Sequence, residues 1–111
     1  MKALGKVKKV VLDTAEFHPL HRNWLNLAQT IAKELGVDLE VKTEDYVYAI
    51  SYGDKDDLGM AWLPQLFLEM EDGSVRLVMS QYPFDPATTK PSDQMALDEA
   101  RKKVQEILKD P

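Results

Sequence analysis

The first forty residues carry two different apolar patterns. Residues 7–13 contain three adjacent apolar side chains, which is typical of a strand that is buried on both faces. Residues 20–35 place apolar side chains at intervals of three and four, as in an amphipathic helix, and Gly36 follows as a C-terminal cap. Residues 37–41 alternate apolar and acidic side chains, which indicates a half-buried strand. Strand, helix and strand in this order predict a right-handed parallel crossover.

Residues 44–52 fit two structures. Their tyrosines and β-branched side chains favour a strand. A short helix is favoured by Thr43 as a cap, with Glu44 and Asp45 in its first turn beside the positive end of the helix dipole. Gly53 stands where that helix would end. We predict the helix because its cap, its acidic start and its terminal glycine agree.

The second half of the chain predicts a hairpin and a last helix. Residues 65–70 and 75–79 are apolar runs joined through an Asp-Gly pair, a strong signal for a β-hairpin. Residues 80–91 contain three prolines and are predicted to be a loop. Ser92 or Asp93 then caps a helix whose apolar positions again recur at three and four.

These elements predict a single α/β domain over residues 1–111. A parallel unit followed by an antiparallel hairpin gives a mixed four-stranded sheet flanked by helices. A chain of 111 residues can bury a core without disulfides or a structural metal.

Charge and hydropathy narrow the classes of partner. The formal net charge of −5 disfavours nucleic acid, because binding to phosphates depends on Lys and Arg. We interpret Lys2, Lys6, Lys8 and Lys9 as a solubilising cap on the first strand. No stretch approaches the roughly 20 apolar residues that span a bilayer, and no signal peptide is visible. We therefore expect a cytoplasmic protein with no membrane partner.

The turn before the first helix carries the pattern of a known family. Residues 17–22 read Phe-His-Pro-Leu-His-Arg and follow the buried strand directly. Thioredoxin-like oxidoreductases have an aromatic residue and Cys-x-x-Cys at this point. The chain resembles that family, with His18 and His21 at the two cysteine positions and Pro19 where Cys-Pro-x-Cys members also have proline. It contains no cysteine, so thiol–disulfide oxidoreductase activity is excluded.

A second segment strengthens the resemblance. Trp62-Leu63-Pro64 precedes the third strand and resembles the family segment in which the proline is cis. The resemblance extends from about residue 7 to residue 108 and implies a thioredoxin-like βαβ(α)ββα fold. It also implies a cis bond before Pro64 and a Leu63 backbone that pairs with extended peptide. The loop after residue 53 is longer than usual in the family, as is the loop after the last strand.

The resemblance implies one binding surface built from three loops at one end of the sheet. A redox-inactive domain would bind a protein or peptide there, without a cofactor, or would pair with a second copy as a homodimer. An alternative is that Trp62 and Phe84 fill the core beneath the loops. The expected surface consists of Phe17, His18, Pro19, His21, Trp62, Leu63, Pro64, Tyr82 and Phe84.

The two histidines leave other functions open. Imidazoles three residues apart could ligate a transition metal, with Asp13 or Glu16 as a third ligand. They could equally be surface histidines at a helix start, or serve a non-thiol enzyme. No phosphate-binding glycine loop or Ser/His/Asp signature accompanies them, so we expect no enzymatic activity. A purely structural subunit that binds through another face is a further possibility.

Overall fold

A computed structural model describes residues 6–109 of the chain. The observed order of elements is strand, helix, strand, helix, strand, strand, helix, as the sequence predicts. The strands are β1 (Val7–Thr14), β2 (Asp38–Thr43), β3 (Gln65–Met70) and β4 (Val75–Met79). The helices are α1 (His21–Leu35), α2 (Tyr46–Tyr52) and α3 (Asp93–Lys109).

The four strands form one mixed sheet in the order β2-β1-β3-β4. β1 runs parallel to β2 and antiparallel to β3, and β3 pairs with β4 in the predicted antiparallel hairpin. Leu12 at the centre of β1 lies opposite Val41 on one side and Leu66 on the other. The apolar run of β1 is fully buried because this strand has neighbours on both edges and helices over both faces.

Helices cover the two faces of the sheet unequally. α1 and α3 lie on one face and enclose the main core, because alternate strand residues point towards them. α2 lies on the other face, where the Tyr48 ring meets the Phe67 ring edge-on at a centroid distance of 5.1 Å. The main core includes Val10, Leu12, Leu66, Leu68, Trp24, Ile31, Ala100 and Val104.

Residues 46–52 are helical, which confirms the predicted element but not its predicted cap. The β1–β2 ladder continues to Thr43, so this residue belongs to the sheet. Glu44 adopts a positive φ of 52°. Asp45 is the cap, because its side chain accepts a hydrogen bond from the Tyr48 amide at 3.1 Å. Neither acidic residue therefore stands in the first turn of α2.

Two further helix ends follow the sequence signals closely. α1 begins one residue later than predicted and ends at Leu35. Gly36 is its C-terminal cap, with a φ of 70° in the left-handed conformation that glycine favours. Ser92 rather than Asp93 caps α3, since its hydroxyl accepts from the Met95 amide at 3.2 Å.

Between Lys55 and Ala61 an isolated bridge closes the loop that follows α2.

Among the basic residues near the N-terminus, Lys6 and Lys8 are exposed, whereas Lys9 is partly buried. Lys9 forms ion pairs with Glu40 of β2 and Glu69 of β3, so it ties three strands together. Lys2 lies outside the described residues.

Between residues 6 and 109, no helix has the length and apolar character required to cross a membrane.

Candidate functional site

A pocket of about 570 Å³ opens where three loops meet. The loops are the turn before α1, the segment before β3 and the loop after β4. Six of the predicted surface residues line this pocket: His18, Trp62, Leu63, Pro64, Tyr82 and Phe84. Four lining residues were not predicted: Leu20, Trp24, Ser80 and Gln81. Their only sequence signal is adjacency to predicted residues, or membership of the α1 apolar stripe.

Three predicted residues do not line the pocket. The Phe17 side chain is 75% exposed, and Pro19 is exposed beside it. His21 turns towards the sheet instead, where its Nδ1 lies 2.9 Å from the hydroxyl of the buried Thr14. His18 therefore lies at the pocket, whereas His21 contacts the buried end of β1.

His18 is held by the turn that precedes α1. Its amide donates to the Ala15 carbonyl at 3.0 Å, and its own carbonyl accepts from the His21 amide at 3.0 Å. The Leu20 amide donates to Nδ1 of the His18 ring at 3.0 Å. Since Nδ1 accepts, the neutral ring carries its proton on Nε2. His18 therefore offers a hydrogen-bond donor at the pocket.

The segment before β3 is anchored from both sides. The bond between Leu63 and Pro64 is cis, as predicted. The indole of Trp62 donates to the Ser80 carbonyl at 2.8 Å, which joins this segment to the loop after β4. Trp62 is half-buried, so part of its ring packs inside while part faces the pocket.

Gln65 holds the segment before β3 in place through hydrogen bonds of its side-chain amide. Its side chain is fully buried and donates to the carbonyls of Trp62 at 2.7 Å and Asp54 at 3.1 Å, while its oxygen accepts from the Asp54 amide at 2.9 Å. A Cβ at Gly53 would clash with the side-chain oxygen of Gln65. Glycine at residue 53 therefore lets the end of α2 approach the amide that holds the pocket wall.

The loop after β4 supplies two aromatic rings with different roles. Tyr82 is mostly buried, packs edge-on against Trp24 and donates its hydroxyl to Asp93 at 2.5 Å. Burial and this hydrogen bond raise the pKa of Tyr82, and the same bond lowers the pKa of Asp93. Phe84 is 52% exposed, so it does not fill the core as the alternative supposed.

The residues considered as metal ligands are dispersed. Asp13 lies on the sheet face that α2 covers, whereas Thr14 and its partner His21 lie on the α1 face. The Asp13 carboxylate accepts from the Asp45 amide at 3.1 Å, which commits it to the start of α2. Among residues 6–109 no group of three or more histidine or acidic side chains is arranged to hold a metal ion.

The chain was compared with protein-family models, with curated proteins and with solved structures, and none of these comparisons gave a significant match. The geometry of the site therefore carries the functional interpretation.

Proposed function

We propose that this chain is a thioredoxin-like domain without redox activity that binds an extended segment of a protein or peptide in the pocket. One observation carries the proposal: the pocket wall joins His18 at the start of α1 to Trp62, Leu63 and Pro64 before β3. The strand order β2-β1-β3-β4 and the placement of helices on both faces also support it. Because the chain contains no cysteine, the proposed binding involves no thiol chemistry.

The pocket has the chemical character of a protein-binding site. Its walls combine apolar and aromatic side chains, and tryptophan and tyrosine are enriched among residues that dominate binding energy. The Nε2–H group of His18 can donate to a carbonyl of the bound segment. The Leu63 backbone would pair with that segment as an added strand does, so main-chain hydrogen bonds give affinity and the pocket selects a side chain.

A second copy of this chain is an alternative occupant of the same surface. It would produce a homodimer in which each copy offers a loop to the other. Sedimentation velocity of the purified protein distinguishes the two, since peptide binding leaves a monomer and self-association depends on concentration.

The metal or non-thiol enzyme alternative has no supporting observation in the described part of the chain. The Nδ1 atoms of His18 and His21 have different partners, and only His18 lines the pocket. Titration with zinc of the purified protein and of a His18→Ala, His21→Ala double variant tests this alternative directly.

A peptide-display selection on the immobilised protein tests the proposal. Phe84→Ala is the main variant because the ring is half exposed and its loss leaves the core intact. We expect the selected peptides to bind Phe84→Ala and Trp62→Ala at least about tenfold more weakly, as for residues that dominate an interface. Val47→Ala is the matched control, since Val47 is 78% exposed on α2 and does not line the pocket. Unchanged binding to both pocket variants contradicts the proposal.

A further inference from the structure

Two carboxylates accept hydrogen bonds from side chains that line the pocket. The Ser80 hydroxyl donates to the carboxylate of Asp54, and the Tyr82 hydroxyl donates to that of Asp93. Asn23 also donates to Asp93 at 2.9 Å, and these neutral donors lower the pKa of Asp93. Neutral donors stabilise an anion but do not cancel its charge. The negative charges therefore remain beside Ser80 and Tyr82, although neither carboxylate lines the pocket itself and Asp93 lines a neighbouring cavity that shares Tyr82 with it.

Among the described residues that line the pocket there is no lysine or arginine. Lys55 follows Asp54 in sequence, but its ammonium donates to the carbonyls of Ile50 and Gly53 at the end of α2. Lys9 and Lys42 are committed to acidic side chains on the sheet and at the start of α2. These three cations are engaged away from the two carboxylates.

Two other acidic residues of these loops have a basic residue within a few positions along the chain. Asp85 shares its short loop with Lys90, whose carbonyl accepts from the Asp85 amide at 2.8 Å. Glu16 and Arg22 both belong to the turn and the first residues of α1. Asp54 and Asp93 are bonded directly to the pocket-lining side chains of Ser80 and Tyr82, and they share the sign of the net charge of −5.

From this charge distribution we infer that the bound segment carries lysine or arginine beside the apolar side chain that enters the pocket. This inference rests on the proposed function and names the chemistry of its partner. A cation beside the pocket would lie near Asp54, or near Asp93 in the neighbouring cavity, without displacing Lys55 from the carbonyls that it contacts. Complementary charge of this kind speeds association and selects between partners more than it adds affinity.

A random peptide library displayed around a fixed central aromatic residue provides the probe. We expect selection on the wild-type protein to enrich lysine and arginine at the flanking positions. The selected peptide and versions with neutral or acidic flanks are then measured by fluorescence anisotropy. We expect the basic peptide to bind about three- to tenfold more tightly than the neutral one, and high salt to remove the difference.

The carboxylates are tested by Asp54→Asn and Asp93→Asn, which keep an oxygen acceptor and remove the charge. Both variants should lose the preference for basic flanks while binding the neutral peptide as before. Asp38→Asn is the matched control, since Asp38 is an exposed carboxylate at the start of β2. If neutral and basic peptides bind equally, the inference fails and the proposed function stands. If no selected peptide depends on Trp62 or Phe84, both fail.

Discussion

Asp13 is a buried carboxylate whose charge the fold only partly compensates. One oxygen accepts from the Asp45 amide, and the other has no hydrogen-bond partner within residues 6–109. Burial is the main cause that raises the pKa of Asp13 to about 6. The neighbouring Asp45 carboxylate raises it further, while the Asp45 amide and Lys42 oppose this change.

This pKa predicts an unusual dependence of stability on pH. Between about pH 4 and pH 6 the folded protein binds more protons at Asp13 than the unfolded chain, so stability falls as pH rises through this range. Asp13→Asn removes the effect, and its free energy of unfolding relative to wild type should increase by about 2–3 kcal/mol between pH 4 and pH 7. Urea denaturation across this range measures it. Parallel pH curves for the two proteins would contradict the prediction.

Gly53 is a second residue whose identity follows from close contacts. Its φ of −103° suits any residue, so glycine is required by the close approach of the Gln65 amide and of the Ala49 carbonyl oxygen, which a Cβ would meet at 2.9 Å. We expect Gly53→Ala to destabilise the protein by about 1–3 kcal/mol, because the Gln65 amide must move and lose hydrogen bonds.

A double-mutant cycle isolates the contact with Gln65. In a Gln65→Ala background the added methyl group at residue 53 no longer meets the Gln65 amide and keeps only its contact with the Ala49 carbonyl oxygen, so Gly53→Ala should cost less there. Equal costs in the two backgrounds, measured by urea denaturation, would show that the clash is not the cause.

At the scale of elements, α2 shows how a sheet sets a helix boundary. The sequence offers Thr43 and Asp45 as caps, and both types of side chain suit that role. Pairing with Thr14 holds Thr43 in β2. The amide of Glu44 then donates to the Thr14 carbonyl at 2.8 Å, so the chain leaves the sheet one residue before Asp45. The local signal identified the helix, and the register of β1 and β2 fixed its start.

The cap assignment predicts different effects at these two positions. Asp45→Ala should lower the free energy of unfolding by about 1 kcal/mol, because the Tyr48 amide loses its acceptor. Thr43→Ala should cost no more than about 0.5 kcal/mol, since its side chain is exposed. Asp45→Asn retains a capping oxygen without the charge and separates the cap from the ion pair with Lys42. A larger loss for Thr43→Ala would reverse the assignment.

At the scale of the whole molecule, the pocket and the core are parts of one connected structure. Tyr82 lines the pocket and also belongs to the main core beside Trp24. Gln65 joins the pocket wall to β3, and β3 packs against helices on both faces. The pocket wall is therefore supported by the same contacts that stabilise the fold.

This connection predicts a single cooperative unfolding transition. The chain has two tryptophans, of which Trp24 reports on the α1 core and Trp62 on the pocket wall. In Trp24→Phe and Trp62→Phe variants, fluorescence of the remaining tryptophan should give the same urea midpoint as far-UV circular dichroism. A pocket signal that is lost at lower urea than the helical signal would show that the pocket wall unfolds independently.

The sequence by itself determined the seven elements and the exclusion of thiol chemistry. Apolar periodicity is a property of neighbouring residues, and the absence of cysteine does not depend on the fold. The tertiary structure decided which of the predicted residues line the pocket and which unpredicted residues join them. Phe17 and His21 share a turn with His18 but do not line the pocket, whereas Ser80 meets Trp62 from a position 18 residues away. Which face a residue takes, and which distant residue it meets, depends on strand register and loop packing, and these are not local properties of the chain.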